Sequence, residues 1–162
     1  MPRLFGAKLA LVRTRAGITQ TALAQRIPIR QSHISHLEAG RKAPTVDLVV
    51  LLAWVFHVSP DYFLQDTIDI EQVTKLTVPS DWKGNILRLG EKIQQLRLKR
   101  GWSQFDLGKQ LGLRGQGFVS AIEIGRKLPS IELLLRISNI LEMTTEDLLL
   151  DWINVLYLDK YD

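Results

Sequence analysis

Thr19 through Pro44 reads TQTALAQRIPIRQSHISHLEAGRKAP, and Ser103 through Pro129 reads SQFDLGKQLGLRGQGFVSAIEIGRKLP. The two stretches share Thr19-Gln20 with Ser103-Gln104, Leu23 with Leu107, Ser35 with Ser120, and Glu38 with Glu123. Gly40-Arg41-Lys42 and Pro44 return as Gly125-Arg126-Lys127 and Pro129; upstream, Arg13 and Gly17 return as Arg97 and Gly101. The offset is 84 residues at Gln20/Gln104 and 85 at Glu38/Glu123, so the second copy carries one extra residue between them. A repeat this long, holding polar positions in register with apolar ones, indicates a duplicated domain rather than a solenoid.

Working outward, every local signal is helical. Leu9, Val12 and Ala16 lie on one face of a first helix that ends at Gly17. Thr19 stands where an N-cap belongs, and a short second helix runs from Thr19 to Arg26 with Leu23 and Ile27 inward. Pro28 and Ile29 form a turn. Gln31 to Ala39 is a third helix, with Ile34 and Leu37 buried, and Gly40 ends it. Pro44-Thr45 and Ser59-Pro60 open a fourth and a fifth, since proline is tolerated in a first turn. Leu48 and Leu52 complete the core spacing. The second copy repeats the signals at Gly101, Ser103, Gly112, Gly125, Pro129-Ser130 and Thr144-Thr145, and Trp102 replaces Ile18 as an expected core anchor.

The expected organisation is a domain over 1–66, a linker over 67–86, a second domain over 87–151 and an apolar tail over 152–162. A short strand is expected near Lys75–Val78. The tail, Trp152 to Leu158, either packs back on the second domain or helps a dimer form.

The chain has 162 residues, 46% of them hydrophobic, which supports folded cores. It has no cysteine, so disulfides and cysteine-ligated zinc are excluded. The N-terminus lacks a signal-peptide pattern, and the apolar run Val46–Phe56 is too short to span a bilayer. A cytoplasmic location is the expectation, with no membrane partner. The net charge is +4. Residues 1–66 carry eight Lys/Arg against four Asp/Glu, whereas 84–151 carry ten against eight. The first copy is therefore better suited to a polyanion. No nucleophile–base pair, cofactor or phosphate loop is evident; Gly115-Gln116-Gly117 lacks the strand that a phosphate loop requires. His33 and His36 are three apart on a helix, yet without cysteine they make a poor metal site, and base or phosphate contact is the preferred reading.

Two short capped helices joined by a tight turn form a helix-turn-helix, in which one helix crosses the phosphate backbone and the next enters the major groove. The Thr/Ser-Gln, Leu, Glu-x-Gly and Pro pattern resembles the phage-repressor (Cro/C1, or XRE) family over roughly 5–66 and 89–151. The resemblance implies an all-α chain of two lambda-repressor-like five-helix domains in tandem. It implies a DNA-binding transcriptional regulator, a repressor by preference, without enzymatic activity and without a cofactor. It implies phosphate contacts for Gln20 and Gln104, with Arg30, Arg41, Lys42, Arg114, Arg126 and Lys127 as the flanking cations. Base reading falls to Gln31, Ser32, His33 and His36 in the first copy. In the second it falls to Gln116 and Phe118, where Gly117 and Ala121 offer no side-chain hydrogen bond. Arg13/Glu38 and Arg97/Glu123 are expected as structural salt bridges between the first and third helices.

Two arrangements stay open: one chain reading an asymmetric site, or a homodimer held by the second domains and tails over a palindrome. A third reading, from another class, is a protein-interaction module such as an antitoxin or scaffold, with a protein partner on the second copy.

Overall fold

A computed structural model describes residues 2–77 and 88–151. The expected tail and most of the C-terminal part of the expected linker lie outside these residues. The chain divides into two compact units, Met1–Asn85 and Ile86–Asp162. The first contains α1 (Phe5–Arg15), α2 (Gln20–Arg26), α3 (Gln31–Glu38), α4 (Val46–Phe56) and α5 (Pro60–Leu64). The second contains α6 (Leu89–Lys99), α7 (Gln104–Gln110), α8 (Gly117–Glu123), α9 (Ile131–Ile140) and α10 (Thr145–Leu149). Among the described residues there is no strand, only an isolated antiparallel bridge between Val58 and Lys75.

Caps set the helix starts. The Thr19 hydroxyl accepts from the Ala22 N–H, and Ser59 accepts from Asp61 with Pro60 in the first turn. Ser103 with Asp106, and Thr144 with Asp147, form reciprocal capping boxes. α8 begins less well: Gln116 is helical at the N-cap and makes no side-chain cap.

Each unit closes on one core. Phe5, Leu9, Leu23, Ile34, Leu37, Val49, Leu52 and Phe63 are buried in the first; Leu89, Ile93, Leu107, Ile122, Leu134, Ile137 and Leu148 in the second. Ala16 is exposed, not part of that buried face; it is the C-cap of α1, still helical, with its N–H on the Val12 carbonyl at 3.0 Å. Trp102 is only half-buried: it sits in the loop before α7, where the Arg100 guanidinium lies 5.8 Å over its ring.

Three features recur in both units and join distant parts of the chain. Gly6 lets α1 touch the end of α3; an added Cβ would stand 2.5 Å from the carbonyl oxygens of Leu37 and Glu38. Gly90 meets Ile122 and Glu123 in the same way. Lys8 is buried, donating to the Gln65 carbonyl at 2.7 Å. Lys92 is buried, donating to the carbonyls of Asp147 (2.7 Å) and Leu150 (2.5 Å). Asp66 accepts from the N–H groups of Arg3 and Leu4 before α1, and Asp151 from Arg88 before α6. Each fifth helix is thereby tied to the first helix of its unit.

The segment after α5 folds onto the first unit. The Tyr62 hydroxyl donates to the Ile70 carbonyl at 2.6 Å, Ser59 N to Thr74 O at 2.9 Å and Leu76 N to His57 O at 2.8 Å. The strand expected over Lys75–Val78 is reduced to the bridge at Lys75, and Val78 lies outside the described residues.

Candidate nucleic-acid interface

α2 and α3 are joined by residues 27–30, with Arg30 extended and exposed at the N-cap of α3. Gln31 and Ser32 are exposed in the first turn, and His33 and His36 are half-buried one turn apart. At the far end Gly40 takes a left-handed conformation (φ 67°). The N–H groups of Arg41 and Lys42 then both bond to the His36 carbonyl, at 2.8 and 3.2 Å. Exposed cations therefore flank both ends of an eight-residue helix, about 12 Å long at 1.5 Å per residue.

One hydrogen-bond chain supports this edge. Gln31 Nε2 donates to Gln20 Oε1 at 2.7 Å, and Gln20 Nε2 donates to Glu38 Oε2 at 2.9 Å. Arg13 donates to both Glu38 oxygens, from Nε at 2.6 Å and Nη2 at 2.9 Å, and from Nη1 to the Ile18 carbonyl at 2.8 Å. The Glu38 carboxylate holds the Arg13 guanidinium pKa above its usual value. Glu38 accepts only, so it orients the Gln20 amide with its oxygen toward Gln31. One N–H of Gln20 is left over for an outside acceptor.

The second unit builds the same base and a different edge. Arg97 clamps Glu123 from Nε (2.6 Å) and Nη2 (3.0 Å), donates to the Trp102 carbonyl (2.6 Å), and Gln104 Nε2 joins Glu123 at 2.9 Å. Both pairs expected as structural are thus bidentate salt bridges between the first and third helices of their units. In the second unit no side chain from the first turn of α8 extends the chain among the described residues. The extra residue falls in Leu113–Gln116, where Gly115 turns at φ 101°. Arg114, Gln116, Gly117, Arg126 and Lys127 are exposed, Ala121 is half-buried, and the Lys127 ammonium lies 5.5 Å over the Phe118 ring.

Five exposed large apolar side chains mark this unit among the described residues: Leu98, Phe105, Phe118, Ile124 and Leu128. Their counterparts by the repeat are Thr14, Thr21, His33, Ala39 and Ala43. Phe118 was legible from sequence; the other four become notable only once their exposure is known. Arg100, readable from sequence as a solvated helix-end charge, instead donates to the Leu141 carbonyl at 2.6 Å and pairs with Glu142. Arg15 pairs with Glu71. Sequence reasoning also missed Lys8/Lys92 and Gly6/Gly90, although their spacing of 84 was the available signal.

Among the described residues no cluster of three or more His, Cys, Asp or Glu could hold a metal ion. No helix among them is long and apolar enough to cross a membrane.

Comparison with known proteins agrees with this geometry. A helix-turn-helix family model matches residues 9–63, and a helix-turn-helix domain model matches residues 88–152. The HTH-type transcriptional regulator PrpR of Mycobacterium tuberculosis is 36% identical over 62 residues, 38% of this chain and 13% of that protein. A prophage-derived HTH-type transcriptional regulator of Bacillus subtilis, YonR, is 37% identical over 60 residues, 37% of this chain and 55% of the relative. The matched stretch is thus a small part of the first relative and about half of the second. No solved structure gives a significant match. With both matches falling on the repeated five-helix units and their shared Arg–Glu–Gln clamp, the chain belongs to the phage-repressor (Cro/C1-type) helix-turn-helix family, carrying its domain twice.

Proposed function

We propose that the chain is a cytoplasmic, non-enzymatic transcriptional regulator that binds double-stranded DNA sequence-specifically, reading the major groove with α3 and acting as a repressor. The observation that carries this is the Gln31–Gln20–Glu38–Arg13 chain. It holds Gln31 by one amide N–H and leaves its carbonyl oxygen and second N–H for a base edge, the pair that adenine requires. Ser32, His33 and His36 extend the reading edge. Arg30, Arg41, Lys42 and the remaining N–H of Gln20 supply phosphate contacts that fix the register. In the second unit Gln104, Arg114, Arg126 and Lys127 keep phosphate-binding capacity, while Gln116 and Phe118 offer a poorer base code.

Selection of bound duplexes from a random DNA pool, run on the intact chain and on Gln31→Ala/His33→Ala, tests the reading. A sharp motif that the double variant loses is the expected result; no enrichment, or enrichment indifferent to those changes, overturns it. An asymmetric motif indicates one chain per site, and a palindrome indicates a homodimer.

The apolar set Phe105, Phe118, Ile124 and Leu128 favours a second reading, in which the second unit docks a protein, either its own copy or another. Replacing Phe105 and Phe118 by Ser then abolishes self-association in sedimentation while leaving the DNA motif unchanged. If the motif changes instead, that face contacts DNA.

A further inference from the structure

The first unit contains a cleft of about 560 Å³; a smaller one of about 280 Å³ in the second unit is lined by Gln110 and Ile140, the counterparts of Arg26 and Val55. The larger cleft lies where the ends of α1, α2 and α4 meet the segment after α5. Its apolar lining includes Val12, Val55, Phe56, Val58, Val73 and Leu76. Its polar lining is Arg15, Arg26, His57 and Lys75, with no carboxylate among the lining residues. Arg15 pairs with Glu71 outside the cleft; Arg26 and Lys75 are exposed. The volume falls in the range of small-molecule sites, and an apolar floor with a cationic rim matches an apolar body bearing one anionic group.

The repeat supplies an internal comparison. Ala16, Arg26 and His57 correspond to Arg100, Gln110 and Glu142. Arg100 lies along that place in the second unit, donating to the Leu141 carbonyl and pairing with Glu142. His57 and Glu142 share a left-handed backbone (φ 51° in both), so the two units have the same frame there and differ in side chains. The first unit thus lacks the side chain that lies along the place, and it carries Arg26 and His57 where the second unit has a neutral Gln110 and an acidic Glu142.

We propose that this cleft is a binding site for a small anionic amphiphile, of the class of a medium-chain carboxylate, with Arg26 and Lys75 holding the head group and the valines and Leu76 covering the chain. The site lies apart from the edge of α3 and does not depend on the DNA-binding reading.

Methyl-resolved NMR titration of the intact chain with octanoate, 1-octanol and acetate tests this. Octanoate is expected to shift the methyls of Val55, Val58, Val73 and Leu76 saturably. Octanol should bind about tenfold or more weakly, the worth of one charge-assisted hydrogen bond, and acetate should have no effect. The variant Ala16→Arg/Arg26→Gln/His57→Glu installs the residues with which the second unit folds, and octanoate binding should be lost. Should that variant fail to fold, Arg26→Gln/Lys75→Gln changes only exposed side chains and should bring octanoate down to the affinity of octanol. Absence of saturable shifts with octanoate overturns the proposal. So does equal affinity for octanoate and octanol, or binding that survives these substitutions.

Discussion

Replacing Glu123 by Ala should destabilise the second unit selectively. Its carboxylate receives two bonds from Arg97, at 2.6 and 3.0 Å, and one from Gln104 at 2.9 Å. The two side chains are 7% and 0% exposed, so water cannot replace the lost partner without the helices parting. After truncation Arg97 keeps only the Trp102 carbonyl. Breaking a buried pair from one side costs about 3–5 kcal/mol, because the remaining charge stays desolvated. A unit of this size has roughly 5–8 kcal/mol of stability in total, so roughly 40% or more of it would be lost. The first pair is more exposed, at 13% and 9%, and Glu38→Ala should cost its unit about 2–3 kcal/mol. Urea titration followed by amide cross-peaks resolves the two units. The α6–α10 peaks should vanish at much lower urea in Glu123→Ala, with the α1–α5 peaks unmoved. Arg97→Met/Glu123→Leu should regain most of the loss, since an apolar pair of similar volume needs no partner. A cost below about 1 kcal/mol, or a double variant no better than the single one, refutes the account of this pair as a buried, mutually dependent clamp.

Three other expectations rest on equally specific geometry. Burial pushes the Lys92 pKa down to about 8, so between pH 8 and 10 the unfolded chain binds more protons than the folded one and stability rises with pH. The gain is about 2 kcal/mol over that window, and it should disappear from the second-unit urea midpoints in Lys92→Met, even though that variant is less stable throughout. Gly6→Ala and Gly90→Ala press a methyl against backbone carbonyls and should each destabilise their own unit by about 3 kcal/mol in the same titration; a neutral result would mean that the helices can separate freely. Gln20→Ala should weaken DNA binding more than Gln104→Ala in fluorescence anisotropy, because only Gln20 supports a base-reading side chain; equal losses would reduce both residues to phosphate contacts.

The fold was largely legible because its signals act between near neighbours in the chain. Thr19, Ser103 and Thr144 cap helices within three residues of themselves, and Gly40 and Gly125 end them by their own backbone freedom. The candidate site was legible through the repeat, since Gln20, Glu38 and Arg13 return in register and the clamp they form is the same in both units. That Gln31 joins this chain was not legible. Eleven residues separate it from Gln20, and only the turn between α2 and α3 brings the two amides to 2.7 Å.

By itself, the sequence determined the duplication, the helical class, the capped starts of most helices and the polar edge of α3, all of which depend on residue type at short spacing. Tertiary structure alone decided what distant segments do to one another. Lys8 and Lys92 read as ordinary helix-surface lysines until the last helix of each unit closes over them and offers its carbonyl oxygens. Arg100 reads as a solvated charge until α9 ends beside it. The cleft beside Arg26 is lined by Ala16 from the end of α1 and by Val73 and Leu76 from beyond α5, residues that only the fold brings together. Burial and partnership across more than forty residues have no local signature, because they are properties of where the chain returns and not of the residues along it.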